Sequence, residues 1–397
     1  MKIGILTYHA PFNFGANLQA YASQNFFCSL GHDTWVINYV RESDINPQNC
    51  NPSQIEGHFN FSQNTLRVTK RINRNEIYSL VKKEKFDLIA IGADAVWNKR
   101  VREDLEVFYA KWLWGTDLEN KVKVIALSPA FMGRTYSDLT EGEKKSFRDG
   151  LLKFSYIDTR DAWTRYIVNK EIVGYNYIKT LNPDPVFLLD EFCNVRWEIP
   201  STQFFSKKYY ILSLPKDFAH THTKIKQMWF RRFKKIVNKH GYQLVELPIP
   251  EGVSGFKFDY TVPYPIDPLQ WFLWLKNAKA FIGLRFHAVV SCISAGTPFF
   301  SLDIYGRNSS KINRILNLLG IHCFDNNVNR SSKIRNLLDG SGLESYRING
   351  DLVYFISANK VFRKLEKADS SLILNYKEKM VSLFKSNMQD MLNAVKQ

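Results

Sequence analysis

The sequence predicts an α/β protein made of two doubly wound, Rossmann-like domains facing a cleft. Three observations carry this reading. Short apolar runs alternate with helix-length amphipathic segments, the pattern of a parallel sheet covered by helices on both faces. The alternation breaks over residues 190–207 and then restarts, which separates a domain at 1–190 from one at 191–397. With 397 residues, each half has enough chain to bury its own core.

In the first half, Lys2 to Thr7 reads as a strand. A loop from Tyr8 to Gly15 leads to a helix from Ala16 to Leu30, stopped by Gly31, and Thr34 to Tyr39 is the second strand. Residues 41–65, rich in Asn, Ser, Gln and Pro, read as a long loop near the substrate. A helix over 74–85 precedes the strand Asp87 to Ile91. Strands recur at Val122 to Leu127 and Tyr156 to Thr159, with a helix over 141–154 between them. The second half opens with a strand, Tyr209 to Leu214, then a basic helix over 222–240, a strand from Gln243 to Leu247 and a Pro- and Gly-rich loop over 248–268. Ala280 to Gly283 reads as a buried strand and Ala288 to Ala295 as a tightly packed helix, stopped by Gly296 and Thr297-Pro298. Phe299 to Leu302 is the next strand. A helix follows Ser309, and the helix-forming tail 358–397 is expected to pack back on the first domain.

Composition narrows the partners. Lys and Arg number 54 against 38 Asp and Glu, a net charge of +16 that suits an anionic partner: a nucleotide, a phosphosugar or an anionic lipid surface. The basic stretches near 67–85 and 222–240 read either as solvated faces or as a surface that meets an anionic membrane. Nothing resembles a zinc finger, an RNP signature or a basic zipper, so no nucleic acid is expected. The 5 cysteines are odd in number, far apart and without CxxC spacing; they read as reduced thiols with no metal site. No run approaches the ~20 apolar residues of a membrane span, and the start MKIGILTYHAP is no signal peptide. The expected location is the cytoplasm, peripheral at the inner membrane face.

The chemistry concentrates at strand ends. Arg285 and His287 follow the strand at 280–283 and precede a helix. That puts a cation and an imidazole at the carboxyl end of a parallel strand, beside a helix N-terminus, where anionic ligands bind. The alternative for His287 is a satisfied core histidine. Tyr305, Ser309 and Lys311 form a candidate lid on the same side. Asp94 closes the run Ile91-Gly92-Ala93-Asp94, where it can orient or deprotonate a hydroxyl or merely cap the next segment; Trp97 and Asn98 add a carbohydrate-like surface. His9, Asn13 and Gln19 flank the first strand–helix turn, where Asn13 shapes a ligand site or only caps the helix. Arg160 can grip a phosphate or carboxylate in two-pronged fashion, or pair with Asp158, Asp161 or Asp184. Asp184-Pro185 reads as a turn of architectural purpose.

Taken in order, these pieces resemble the polysaccharide pyruvyl transferase family. GILTYH, NFGANLQAYA, the Gly31-His32 turn before WVINY, IGADAVWN, SPAFMG at 128–133, Arg160, Asp184-Pro185, RFHA and AGTPFFSLDIY match in order and approximate spacing over roughly residues 1 to 320. Ala93 and Ala95 stand where the family usually has Ser and Gln, and Ser128-Pro129-Ala130-Phe131 is a variant of its Ala-Ser-Phe-Gly. The resemblance implies a two-domain architecture like that of GT-B glycosyltransferases. It also implies transfer of a pyruvyl group from phosphoenolpyruvate to two hydroxyls of one sugar, in a cell-surface polysaccharide or its lipid-linked precursor, with no metal or cofactor. On this reading Arg160, Arg285, Lys311 and Ser128 hold the donor, His287 is the general acid and Asp94 the base or orienting group. His9, Asn13, Gln19, Trp97 and Asn98 lie on the acceptor side. The rival readings are a GT-B glycosyltransferase using a nucleotide sugar and a non-catalytic protein that binds anionic glycans.

Overall fold

The computed structural model describes residues 1–9, 12–40, 50–98, 105–131, 139–178, 180–198, 208–218, 224–303 and 332–396. The chain forms two compact units. The first comprises Met1–Pro47, His58–Phe192 and Lys379–Gln397, the second Gln48–Gly57 and Cys193–Glu378.

The first unit holds a five-stranded, all-parallel sheet: β1 (Lys2–Leu6), β2 (Asp33–Val36), β3 (Leu88–Asp94), β4 (Lys123–Pro129) and β5 (Tyr156–Ile157), in the order β2-β1-β3-β4-β5. Every residue of β3, LIAIGAD, is buried, as a central strand covered on both faces requires. Gly92 in β3 has φ +120°, and a Cβ there would lie 2.1 Å from the Leu127 carbonyl oxygen, so only glycine fits this close approach of β3 to β4. The helix Phe14–Ser29 crosses from β1 to β2. The Asn13 side chain caps it by accepting from the Gly15 amide at 3.0 Å, and left-handed Gly31 ends the turn after it. The helix Glu141–Leu151 starts with a capping box between Thr140 and Glu143.

The expected loop at 41–65 is corrected over its second half, where Pro52–Asn64 is a helix. Pro52 sits in its first turn and the Asn51 side chain accepts from Ser53, ordinary start signals. The face it buries is mostly polar, Gln54, His58 and Ser62 beside a single Phe61, so no apolar stripe marks it. The His58 Nδ1 stands 2.6 Å from the Asn17 side-chain oxygen, and burial pulls the imidazole down to about 3.

The second unit holds a six-stranded parallel sheet: β6 (Tyr209–Ser213), β7 (Gln243–Glu246), β8 (Tyr260–Thr261), β9 (Ala280–Gly283), β10 (Phe299–Asp303) and β11 (Arg347–Asn349), in the order β11-β10-β9-β6-β7-β8. Its helices include the basic Lys224–Lys239, Pro268–Asn277 with an Asp267 cap, and Phe286–Ala295 between β9 and β10. Tyr210, Leu212, Phe233, Leu244 and Ile282 are central to its core. Among the described residues no helix is long and apolar enough to cross a membrane.

Candidate active site

In a doubly wound sheet, ligands bind outside the carboxyl ends of the strands, where the strand order reverses. That point lies between β1 and β3 in the first sheet and between β6 and β9 in the second. Each gathers residues singled out from the sequence.

At the first switch point the polar side chains mostly bind one another. Gln19 is fully buried; its amide nitrogen donates to Thr7 Oγ1 and to the Tyr8 carbonyl, both at 2.8 Å, and its oxygen accepts from the Ala93 amide at 3.2 Å. The buried His9 has Nδ1 3.3 Å from the Thr7 carbonyl and Nε2 3.1 Å from Asn38 Oδ1. These side chains tie the ends of β1 and β3 together. Trp97, expected on a carbohydrate-facing surface, is instead core: it is 1% exposed, donates from Nε1 to the Phe108 carbonyl and packs on Phe131 and Phe147. Asn98 is buried beside it in the chain, and Asn13 is the exposed helix cap described above.

Asp94 stands at the rim, at the last position of β3, with φ +71°. Its carboxylate lies 3.3 Å from Arg160 Nη1, which also donates to Asp184 Oδ2 at 3.0 Å. Of the two readings of Arg160, the structure shows the pairing with Asp184: its side chain is 3% exposed and held by two carboxylates. Burial works against its charge, but Asp184, then Asp94 and Asp161, outweigh it and hold the guanidinium above its ordinary range. Asp184 also caps its own turn by accepting from Val186 at 3.0 Å.

Ser128, in β4, has φ +48°; its Oγ donates to the Pro183 carbonyl and its amide to Asp158 at 2.6 Å. Burial raises the Asp158 carboxyl from 3.8 to about 7, opposed by hydrogen bonds from Ser128 and Asn182. The folded chain therefore keeps a proton that the unfolded chain releases. The sign follows: this stabilisation is complete below pH ~4 and is lost as pH rises through ~7, a swing of up to about 4 kcal/mol. Asp158→Asn keeps an acceptor for the Ser128 amide and removes the titration. Its melting temperature should exceed wild type at pH 8 and match it at pH 3; equal melting at both would show an ordinary carboxylate.

At the second switch point, β9 ends at Gly283 and the chain turns through Arg285, φ +84°, into Phe286–Ala295. Arg285 is the N-cap of that helix and its side chain makes no capping hydrogen bond, so the positive end of the helix dipole lies beside it. His287 lies in the first turn, 6% exposed, edge-on to Phe286 at 5.1 Å. The Arg285 side chain is 48% exposed and pairs with Glu251. The Cys50 thiol is pushed up to about 11 by burial and Glu251, while Arg285 and Lys216 pull it down, so these groups share one neighbourhood. Lys216 follows β6 across the switch point, and its stem lies where a Cβ on Gly252 would stand. The Lys333 ammonium lies 5.8 Å from the Phe286 ring centre. Lys311, Tyr305 and Ser309 lie outside the described residues.

Lys216, Glu251 and Lys333 escaped the sequence reading. The one local signal at Lys216 was its place just past the carboxyl end of a buried strand, Tyr209–Ser213. Of the non-glycine residues with left-handed backbone, Asp94, Ser128 and Arg285 are all candidate site residues at or beside strand ends. Such backbone costs of order 1–3 kcal/mol each and clusters where function requires it. Among the described residues, no group of three or more His, Cys, Asp or Glu side chains could hold a metal ion.

Comparison with known proteins adds family and fold. The family model Polysaccharide pyruvyl transferase matches residues 13–304. No curated protein matches the chain significantly. Among solved structures, the chain is similar to Arabidopsis thaliana UGT89C1 complexed with UDP-L-rhamnose, at 10% identity and TM-score 0.54, covering 99% of this chain and 98% of that one. It is similar to S. aureus MnaA in a UDP co-structure, at 9% identity and TM-score 0.52, with 98% and 97% covered. The Methanocaldococcus jannaschii UDP-GlcNAc 2-epimerase matches at 12% identity and TM-score 0.51, with 97% and 100% covered. At such identities the likeness is one of fold: α/β with two parallel sheets, as in GT-B glycosyltransferases and these epimerases.

Proposed function

The chain belongs to the polysaccharide pyruvyl transferase family, and from that premise we propose that it moves a pyruvyl group from phosphoenolpyruvate onto two hydroxyls of one sugar, forming a cyclic ketal and releasing phosphate. The observation that carries this reading is the Arg285-Phe286-His287 turn at the β6/β9 switch point, where an exposed guanidinium stands at the N-terminus of the helix that holds His287.

Phosphoenolpyruvate carries a phosphate and a carboxylate on one small carbon frame. The helix amides and Arg285 hold one anion, and Lys216 and Lys333 are the further cations for the pair, in place of Arg160. His287 gives a proton to the methylene carbon, leaving an oxocarbenium-like centre at C2. One sugar hydroxyl adds there and phosphate departs with the C2–O bond pair. The second hydroxyl then closes the ring and gives up its proton. Asp94 is the group proposed to orient or deprotonate the acceptor; Ser128, His9, Gln19 and Asn98 support the strand ends behind it, and Asn13 begins the adjacent helix. The acceptor is a sugar of a cell-surface glycan or its lipid-linked precursor, met at the cytoplasmic membrane face.

Incubation with phosphoenolpyruvate and a panel of glycosides, read by mass spectrometry, tests the reaction. Growth of a pyruvyl ketal product supports it; absence of product across the panel with phosphoenolpyruvate recovered intact counts against it. Thermal stabilisation by UDP and not by phosphoenolpyruvate would favour the nucleotide-sugar reading. Arg285→Ala should weaken phosphoenolpyruvate binding by about 2–4 kcal/mol, roughly 30- to 1000-fold. Calorimetric titration checks this, and an unchanged isotherm would remove Arg285 from the donor site.

A further inference from the structure

Two basic stretches stand out in the chain, and they differ in how their charge is used. In the first, Arg67 pairs with Asp33 at 2.7 Å and stacks on Trp35, Lys82 pairs with Asp117 at 3.0 Å, and Arg74 approaches Glu106 at 3.8 Å. That stretch is largely neutralised by its own surroundings. The helix Lys224–Lys239, KIKQMWFRRFKKIVNK, contains no acidic residue. Lys226 is buried against Phe218 and Tyr354, and Lys234 pairs with Asp259. Arg231, Arg232, Lys235 and Lys239 are exposed, with no carboxylate partner within 4.0 Å among the described residues.

Apolar side chains share this face. Ile225 is 44% exposed, Met228 47% and Phe355 56%. They line one groove of about 500 Å³ together with Arg232, Lys235 and Lys239. Ile225, Met228, Arg232, Lys235 and Lys239 follow one another at helical spacing, so they form a single stripe, apolar at its start and cationic at its end. Exposed large apolar groups cost solubility unless something covers them.

We propose that this face docks on an anionic lipid bilayer, with Ile225, Met228 and Phe355 entering the headgroup–acyl boundary and Arg232, Lys235 and Lys239 lying against the phosphates. The charge complementarity selects an anionic surface, and the apolar residues select a bilayer over a fully hydrated polyanion. Long Lys and Arg stems reach the phosphates while their methylenes stay beside the apolar groove. The proposal stands on this surface alone and does not depend on the chemistry at the sheet ends.

Co-sedimentation of the full chain with vesicles tests it. The protein should pellet with phosphatidylglycerol–phosphatidylcholine vesicles at low salt and not with phosphatidylcholine alone. Binding should fade near physiological salt, where exposed charges are screened beyond ~8 Å. The combined variant Ile225→Ser, Met228→Ser, Phe355→Ser should lose binding about tenfold or more, as should Arg232→Gln, Lys235→Gln, Lys239→Gln. Both sets should melt like wild type, because the altered side chains are exposed. Arg67→Gln with Lys82→Gln should bind like wild type. Failure of the wild type to pellet at low salt overturns the proposal, as does wild-type binding by both triple variants. Loss in the charge variant alone, with the apolar variant binding normally, also overturns it and points to a soluble acidic partner.

Discussion

His287→Gln should give a folded protein that still binds phosphoenolpyruvate but turns over roughly 10²–10⁴-fold more slowly. The imidazole sits in the first turn of its helix, two residues after Arg285, beside the anion site proposed above. Glutamine keeps a polar side chain at this buried place and removes the only feature the mechanism requires, a transferable proton. The competing account is a core histidine, 6% exposed and packed against Phe286. It predicts the reverse: a lower melting temperature with turnover per folded molecule preserved. Single-turnover rates beside melting curves separate the two. Near wild-type turnover would take His287 out of the mechanism.

Arg160→Ala should destabilise the first unit by about 3–5 kcal/mol, because it strands two buried carboxylates, Asp94 and Asp184, without their shared cation. Arg160→Lys should recover part of the loss, since both carboxylates are met by one guanidinium nitrogen, but a shorter and more strongly hydrated ammonium is costlier to bury there. Urea unfolding measures the loss. A variant of wild-type stability with a weakened donor isotherm would restore Arg160 to the donor site and refute the structural role. The experiment also bears on Asp94. A carboxylate held by the same guanidinium as Asp184 is fixed in direction, which suits a group that orients a hydroxyl.

Much of the architecture was legible because parallel strands buried on both faces are short unbroken apolar runs, as in LIAIGAD and AFIG. The Arg285-His287 turn was legible for the same reason: strand, cation, imidazole and helix lie within one local segment. Strand order is not local. Nothing in the sequence says that β6 lies beside β9, so Lys216 could not be joined to Arg285 across the intervening chain. Polar residues misled in both directions. Trp97 and Gln19 suggested a ligand-facing surface and are buried scaffold, because a wholly buried polar atom leaves the same trace in sequence as a binding group. The helix Pro52–Asn64 was hidden by burying Gln54, His58 and Ser62 where an apolar stripe would be expected.

The left-handed backbone at Ser128 and Arg285 has a consequence for engineering this enzyme toward heat tolerance. Glycine adopts φ +48° or +84° without the steric cost that serine and arginine bear. A screen that rewards survival on heating, blind to chemistry, should therefore collect glycine at Arg285, a gain of order 1 kcal/mol that removes the side chain proposed to hold the donor, whereas glycine at Ser128 would forfeit the hydrogen bond to the Pro183 carbonyl. Directed evolution here needs an activity readout at every round. Without it, thermal selection would erode the catalyst it was meant to preserve.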